Sequence, residues 1–178
     1  MSNCLCPIAL TPVLRECPTI GGVAEIYIAE RCDVGTITDS GDTITTIAMV
    51  SGATFNTFQQ RKGVANMTTT VAKDATSGVV THTTDVNLKF NKLTAASRLN
   101  FLNLAKGEII AIVKLNDGSY WMVGDNAYWC EVSAGTINSG VALTDAAQYD
   151  VTLQVVSDFP PKKVEMSTIN TILDSYAM

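Results

Sequence analysis

The chain has 178 residues, of which 47% are hydrophobic and 16% are charged. This length suits one domain with a sizeable core, and the composition excludes an intrinsically disordered chain. The formal net charge of -5 and the isoelectric point of about 4.7 argue against a free-standing DNA-binding protein, which needs basic residues to neutralise phosphates. Passive passage of DNA along an acidic wall is compatible with this charge.

The N-terminal segment, MSNCLCPIALTPVL, lacks the basic region and the long apolar region of a secretory signal. The sequence also contains no run of about eighteen apolar residues, the length that a membrane helix needs. We therefore expect a soluble protein that is made in a cytoplasm and has no membrane partner. Pro7, Pro12 and Pro18 prevent a regular helix, so residues 1–19 are predicted to form an extended arm.

The chain contains five cysteines: Cys4, Cys6, Cys17, Cys32 and Cys130. No C-x-x-C pair occurs. Only one residue separates Cys4 from Cys6, which is fewer than usually separate two structural zinc ligands. One interpretation is a zinc site formed by Cys4, Cys6, Cys17 and His82. The other, which we favour, is that the thiols are reduced and mostly buried as small apolar side chains. On this interpretation no cofactor is expected.

The first half of the chain predicts strands joined by tight turns. A strand is expected at residues 20–29, and the turn at residues 39–42 precedes a β-branched strand at residues 43–50. A long hairpin follows at residues 64–90, with its turn at residues 74–78. Its distal parts are polar on both faces, and a two-stranded hairpin is only marginally stable in water. We therefore expect the hairpin to join a larger sheet, which neighbouring subunits could complete.

One helix is predicted, at residues 94–105. Thr94 is a suitable N-cap and Gly107 lies where a C-terminal cap belongs. Ala95, Leu99 and Leu102 recur at helical spacing, so this stripe is expected to pack on a sheet face.

Residues 106–156 predict a meander of strands that follows the helix. Turn residues separate strands expected at residues 108–115, 120–123, 128–132 and 148–156. Pro160-Pro161 should end the last strand. The remaining tail is expected to form a short helix or an added strand outside the sandwich, where a neighbouring subunit could bind it.

The sequence shows no cluster of catalytic residues. His82 is the only histidine, and its position in a strand favours a structural role over that of a catalytic base. Motifs for nucleotide binding and for zinc proteases are missing. We therefore expect a protein that is not an enzyme.

Two pairs of aromatic residues flank a predicted turn: Tyr120, Trp121, Tyr128 and Trp129. One interpretation is a platform that stacks against a sugar or a base, which would suit a ligand-binding or adhesion module. The other, which we favour, is cross-strand packing in the core or at a subunit interface.

The order of these parts resembles the tail tube proteins of tailed bacteriophages and the related subunits of contractile injection systems. The segment SGVALTDAAQYDVTLQVVSDFPPKKV, residues 139–164, is similar to the end of such subunits, where a small-residue loop and an Asp (here Asp145) precede a closing strand with a Tyr (here Tyr149). The resemblance covers roughly residues 20–160. The chain departs from the resemblance in its Cys- and Pro-containing arm and in lacking a Gly before Tyr149. A tube-like ring of the neck or tail is therefore an alternative to the tube proper.

The resemblance implies a ring, commonly of six subunits, in which long hairpins complete an inner β-barrel around a channel for DNA ejection. The implied partners are further copies of the chain, other phage tail or neck proteins, and DNA that passes without specific binding. The implied location is the virion, assembled in the host cytoplasm. We place the hairpin at the inner wall or at the contact between rings, where the candidate residues are Thr68, Thr69, Thr70, Lys73, Asp74, Thr81, Thr83 and Asp85.

Together these observations predict a mainly β fold: a β-sandwich or partly open β-barrel with one packed α-helix and a long extended hairpin. The expected division is an N-terminal arm at residues 1–19, the β domain at residues 20–160, and a C-terminal tail or arm at residues 161–178.

Overall fold

The computed structural model describes residues 19–174, which form two β-sheets, two α-helices and one 3-10 turn. The strands are β1 (Val23–Glu30), β2 (Val34–Ser40), β3 (Thr43–Met49), β4 (Asn56–Gln59), β5 (Asn66–Lys73), β6 (Val80–Asn91), β7 (Ile109–Leu115), β8 (Tyr120–Val123), β9 (Glu131–Asn138), β10 (Gln148–Ser157) and β11 (Lys162–Val164). The helices are α1 (Ala95–Lys106) and α2 (Met166–Asp174), and the 3-10 turn is Arg31–Asp33. The predicted β-sandwich is confirmed, and neither sheet closes into a barrel.

The strands divide into a seven-stranded sheet and a four-stranded sheet. The seven-stranded sheet has the order β2-β3-β11-β8-β7-β1-β4, and the four-stranded sheet has the order β5-β6-β10-β9. Every strand pair is antiparallel except β3 with β11. The predicted 64–90 hairpin corresponds to β5 and β6, and it joins a larger sheet within its own chain.

The main core lies between the two sheets. Alternation along β6 and β10 turns one set of side chains inward, so that Val86, Leu88, Val151 and Leu153 are all buried. They meet the inward side chains of the seven-stranded sheet, including Ile26. Burying an aliphatic side chain of this size contributes roughly 1.5–3 kcal/mol, so this layer accounts for much of the stability of the sandwich.

A second core covers the opposite face of the seven-stranded sheet. Ile112 and Tyr27 point away from the first core and pack with Ile169 and Ile172 of α2. The central strand β7 is therefore buried on both faces, which explains why IIAIV is apolar without alternation.

The sequence predicted that the C-terminal segment lies outside the sandwich, but the structure places it within the seven-stranded sheet. Strand β11 inserts between β3 and β8 and is the only parallel neighbour of β3 among the described residues. Val164 is buried there, and α2 covers the second core. The prediction was wrong because Pro160-Pro161 ends β10 but does not stop the chain from re-entering the other sheet.

The predicted meander also divides between the two sheets. β7 and β8 pair within the seven-stranded sheet, whereas β9 and β10 belong to the four-stranded sheet. The chain crosses from one sheet to the other after a turn that begins at Gly124, whose φ is +83°. In this turn the Asp125 carboxylate accepts hydrogen bonds from the backbone N–H groups of Ala127 and Tyr128. Turn residues in the sequence indicated that the chain reverses between β8 and β9, but not that β9 pairs in the other sheet.

Helix α1 has the predicted caps but a different buried face. The Thr94 hydroxyl accepts a hydrogen bond from the Ser97 N–H, and the Gly107 N–H donates to the Asn103 carbonyl. Leu99 and Leu102 are exposed, so the prediction that their stripe packs on a sheet is wrong. The helix instead packs through Leu104 and through Phe101, whose ring lies 5.3 Å from that of Tyr149.

Gly135 explains why the helix buries Phe101 rather than Leu99 and Leu102. A Cβ atom at Gly135 would lie 2.8 Å from the Phe101 ring, closer than real Cβ contacts. The absence of a side chain on β9 therefore makes the space that the ring occupies.

Candidate assembly surface

The outer face of the four-stranded sheet is mainly polar, with Val156 of β10 as an exposed apolar residue on it. The residues of β6 and β10 that alternate with the buried ones are mainly Thr, Asn, Asp, Lys and Gln. Register places one such row across all four strands, with Thr68 opposite Asp85, Asp85 opposite Gln154, and Gln154 opposite Glu131. We call this surface the outer face.

Hydrogen bonds between side chains connect the strands on the outer face. The Asn87 amide donates to the Asn66 Oδ1 at 2.9 Å, and the Thr152 hydroxyl donates to the Asn87 Oδ1 at 2.7 Å. The Gln154 amide donates to the Asp85 Oδ1 at 2.8 Å. Because these bonds hold the side chains in place, the outer face is an ordered polar surface rather than a set of independently solvated groups.

The outer face carries more negative than positive charge. Asp85, Asp150 and Glu131 lie on it by register, together with Lys89, whose Nζ lies 3.2 Å from the Asp150 Oδ1. Both members of this ion pair are about one-third exposed, so the pair contributes little to stability. The other two carboxylates, those of Asp85 and Glu131, form no ion pair among the described residues.

Both edges of the four-stranded sheet are unpaired within residues 19–174. The edge strands are β5 and β9, and each has eight residues. Most of their side chains are exposed. Long edges with free backbone N–H and C=O groups are available to pair with another chain.

The structure places five of the eight hairpin candidates on the outer face: Thr68, Thr70, Thr81, Thr83 and Asp85. Thr69 belongs to the opposite face, where its hydroxyl lies 3.0 Å from that of Thr84. Lys73 ends β5 and Asp74 begins the turn. Thr69 therefore does not share a face with these five residues, and the role of the hairpin in an assembly stays a prediction.

The four aromatic candidates contact different neighbours rather than forming one cluster. Tyr120 is buried, with its ring 6.3 Å from that of Tyr27. Tyr128 meets Phe159 edge to face at 5.8 Å.

The two tryptophans are half-buried and lie apart from these rings. The Trp121 indole N–H donates to the Ser119 hydroxyl. The Trp129 indole N–H donates to Glu131, and the Arg31 guanidinium lies 4.1 Å above the Trp129 ring. Tyr128 and Trp129 line a common groove, and the role of all four aromatic residues at an interface stays a prediction.

His82 and the cysteines show no metal site in the part of the chain that the structure describes. The Nδ1 atom of His82 is buried and has no hydrogen-bond partner within residues 19–174. Cys130 is fully buried, its thiol donates to the Val123 carbonyl, and burial raises its pKa to about 12, so it is an inert core thiol. Cys32 is exposed, and the proposed zinc ligands Cys4, Cys6 and Cys17 lie outside the described residues.

The Asn66–Asn87–Thr152 ladder cannot be read from the sequence, because cross-strand register decides which polar residues meet.

No protein-family model matches this chain, and no curated protein is similar enough in sequence to count as a relative. Among residues 19–174, no helix combines the length and the apolar character needed to span a membrane.

Proposed function

We propose that this chain is a structural virion protein of the tail-tube type, which assembles side by side into a ring around a channel for DNA. The observation that carries the proposal is the four-stranded sheet. It has one buried face, one mainly polar face and two free edges. Neighbouring copies can therefore extend it into a continuous sheet by pairing with its edge strands.

Strand direction favours a ring made from identical copies. The three pairs within the sheet are antiparallel, so β5 and β9 run in opposite directions. When one copy is placed beside the next by rotation, β9 of the first meets β5 of the second in antiparallel orientation. The same contact then repeats around the ring, and closure removes both exposed edges of the four-stranded sheet.

The size of such a ring suits a channel. Six copies, the number that the resemblance implies, would form a barrel of about 24 strands from this sheet. At about 4.8 Å between strands, its circumference is about 115 Å and its diameter about 37 Å before strand tilt widens it. Barrels of fewer strands already enclose aqueous channels.

The chemistry of the outer face suits passage rather than binding. If this face lines the channel, a translocating DNA meets fixed hydroxyls, amides and excess carboxylates, including Asp85 and Glu131. Phosphates find no basic patch to hold them, so electrostatic retention is weak.

Electron microscopy of the purified full chain tests the proposal, with rings or tubes as the expected result. A protein that stays monomeric at high concentration and forms no rings would overturn it.

Crosslinking tests the lateral contact itself. In a background where Cys4, Cys6, Cys17 and Cys32 are replaced by Ser, the double variant Thr68→Cys/Thr136→Cys carries one thiol on each edge of the outer face. A short bifunctional thiol reagent should give a ladder of covalent products that stops at the ring number, whereas each single variant should stay uncrosslinked. Dimers in a single variant would indicate two-fold pairing of like edges instead.

A second candidate function is binding of a glycan or similar ligand. An open groove of about 340 Å³ brings Tyr128 and Trp129 together with Glu131, Ser133 and Gln154, a mixture of aromatic and polar groups that sugars favour. Titration of tryptophan fluorescence with oligosaccharides tests it. Saturable quenching that Trp129→Ala abolishes and Trp121→Phe preserves would support this function over the first.

A further inference from the structure

The two edge strands of the four-stranded sheet are displaced from each other along the strand direction. Cross-strand register places β9 level with residues 85–91 of β6, and β5 level with residues 80–87. The midpoints of the two edges therefore differ by four to five residues, which is about 15 Å at the rise of a strand. One free edge thus lies nearer to the hairpin turn than the other.

This displacement matches the tilt that strands have in a closed barrel. Four strands at about 4.8 Å make the sheet about 19 Å wide. When the next copy stands at the same height in a ring, its β5 meets the whole of β9 only if the strands tilt from the ring axis. A displacement of about 15 Å over a width of about 19 Å requires a tilt of about 38°, within the range of about 35–45° found in barrels.

We propose that β9 of one copy pairs with β5 of the next copy in one register, in which Thr136 lies opposite Thr68. This inference rests on the proposed function, and it adds which residues meet. Both strands have eight residues, and this register overlaps them along their full length. The regular part of β9 after its bulge, residues 134–138, then pairs with residues 66–70.

Alternation of side chains limits the registers that are possible. Thr136 and Thr68 both lie on the outer face, opposite Asp150 and Asp85 respectively. A shift by one residue would place the outer face of one copy beside the core face of the next. The neighbouring registers are therefore two residues away, and each of them leaves residues at the strand ends unpaired.

The proposed register also covers an apolar side chain of the edge. Ile137 lies on the core face, opposite the buried Tyr149, yet it is 58% exposed because no strand follows β9 within the chain. The register places Met67 of the next copy opposite Ile137. Met67 packs against the first core from β5, so the pair joins the cores of two copies.

On the outer face the same register extends the ladder of polar side chains. Asn138 comes to lie opposite Asn66 of the next copy. The Asn66 Oδ1 already accepts a hydrogen bond from the Asn87 amide, which in turn leads to Thr152. The ladder therefore continues from one copy to the next, as the strands themselves do.

A disulfide scan tests the register. In the background that lacks Cys4, Cys6, Cys17 and Cys32, Thr136→Cys is combined in turn with Asn66→Cys, Thr68→Cys and Thr70→Cys. Within one copy the two edges are three strand spacings apart, at least about 14 Å, so a disulfide between them joins two copies. Mild oxidation of assembled protein should give at least fivefold more covalent product with Thr68→Cys than with either neighbour, and none with the single variants.

The outcomes separate this proposal from the proposed function. Rings whose product is greatest with Asn66→Cys or Thr70→Cys, or equal in all three, would overturn the register and leave the ring intact. A wild-type protein that forms no rings would overturn both. Dimers of Thr136→Cys alone would show that like edges meet and would also overturn the register.

Replacing the apolar edge residue gives an independent measurement. Ile137→Ser should reduce the fraction of protein in rings at least tenfold at equal concentration, as measured by sedimentation. Leu99→Ser is the matched control, because Leu99 is 54% exposed on α1, away from both edges, and its replacement should leave the ring fraction unchanged. Equal ring fractions in Ile137→Ser and wild type would contradict the pairing of Ile137 with Met67.

Discussion

The two sheets of this protein differ in how many of their faces they bury. The seven-stranded sheet has apolar cores on both faces, one against the four-stranded sheet and one against α2. The four-stranded sheet buries one face only, and its other face and both edges stay polar or unpaired among the described residues. The seven-stranded sheet also ends in two edge strands, β2 and β4, but both of its faces are covered. The four-stranded sheet leaves a whole, mainly polar face uncovered, and this is the surface that the proposed assembly would use.

The largest expected effect concerns the second core of the seven-stranded sheet. Ile169 is a buried residue on the inner side of α2, so Ile169→Ala should lower the free energy of unfolding by about 2–5 kcal/mol through lost burial and a residual cavity. Met166→Ala changes an exposed residue of the same helix and should cost no more than about 0.5 kcal/mol. Urea denaturation measures both. Equal losses would mean that α2 is not part of the stabilising core.

A smaller effect is expected where α1 meets the four-stranded sheet. Gly135→Ala forces a methyl group against the Phe101 ring and should destabilise the protein by about 1–3 kcal/mol. Gly21→Ala is the control, since a Cβ at Gly21 meets nothing within 4 Å. Thermal unfolding compares them.

If the clash with Phe101 is the cause, the cost of Gly135→Ala should shrink in a Phe101→Leu background. A cost that is unchanged in that background would show that the glycine matters for another reason.

The smallest expected effect on stability concerns Asp145, in the loop between β9 and β10 at one end of the four-stranded sheet. Hydrogen bonds from the N–H groups of Ala142 and Val141 lower the pKa of Asp145 below its usual value. A carboxyl whose pKa is lower in the folded state stabilises that state above its unfolded pKa of about 3.9, and this stability is lost as pH falls through the folded value.

Asp145→Ala should therefore be slightly less stable than wild type at pH 6, and the difference should disappear near pH 2. Urea midpoints of both proteins across this pH range measure it. A difference that is constant with pH would show that the ionised carboxylate does not hold the loop.

Local patterns in the sequence predicted much of this architecture. Alternation in β6 and β10 identified their buried faces, and Thr94 and Gly107 marked the ends of α1, because these signals depend on neighbouring residues in the chain. Leu99 and Leu102 misled the prediction of the packed face, because the space at Gly135, on a distant strand, decides which side of α1 is buried.

Residue patterns in the sequence indicate a mainly β protein with one capped helix before β7 and a long polar hairpin, whereas the burial of the Cys130 thiol is seen only in the structure. The periodicities and turn residues of the sequence act over a few positions and are visible in any one segment. The folded structure is needed to see that β9 pairs in the other sheet from β8, that β11 lies beside β3, and that Val141 and Leu143 lie at the opposite end of the sheet from the hairpin tip. These facts depend on pairing between segments far apart in the chain, and such pairing is decided by which edges and faces remain free once the cores are filled.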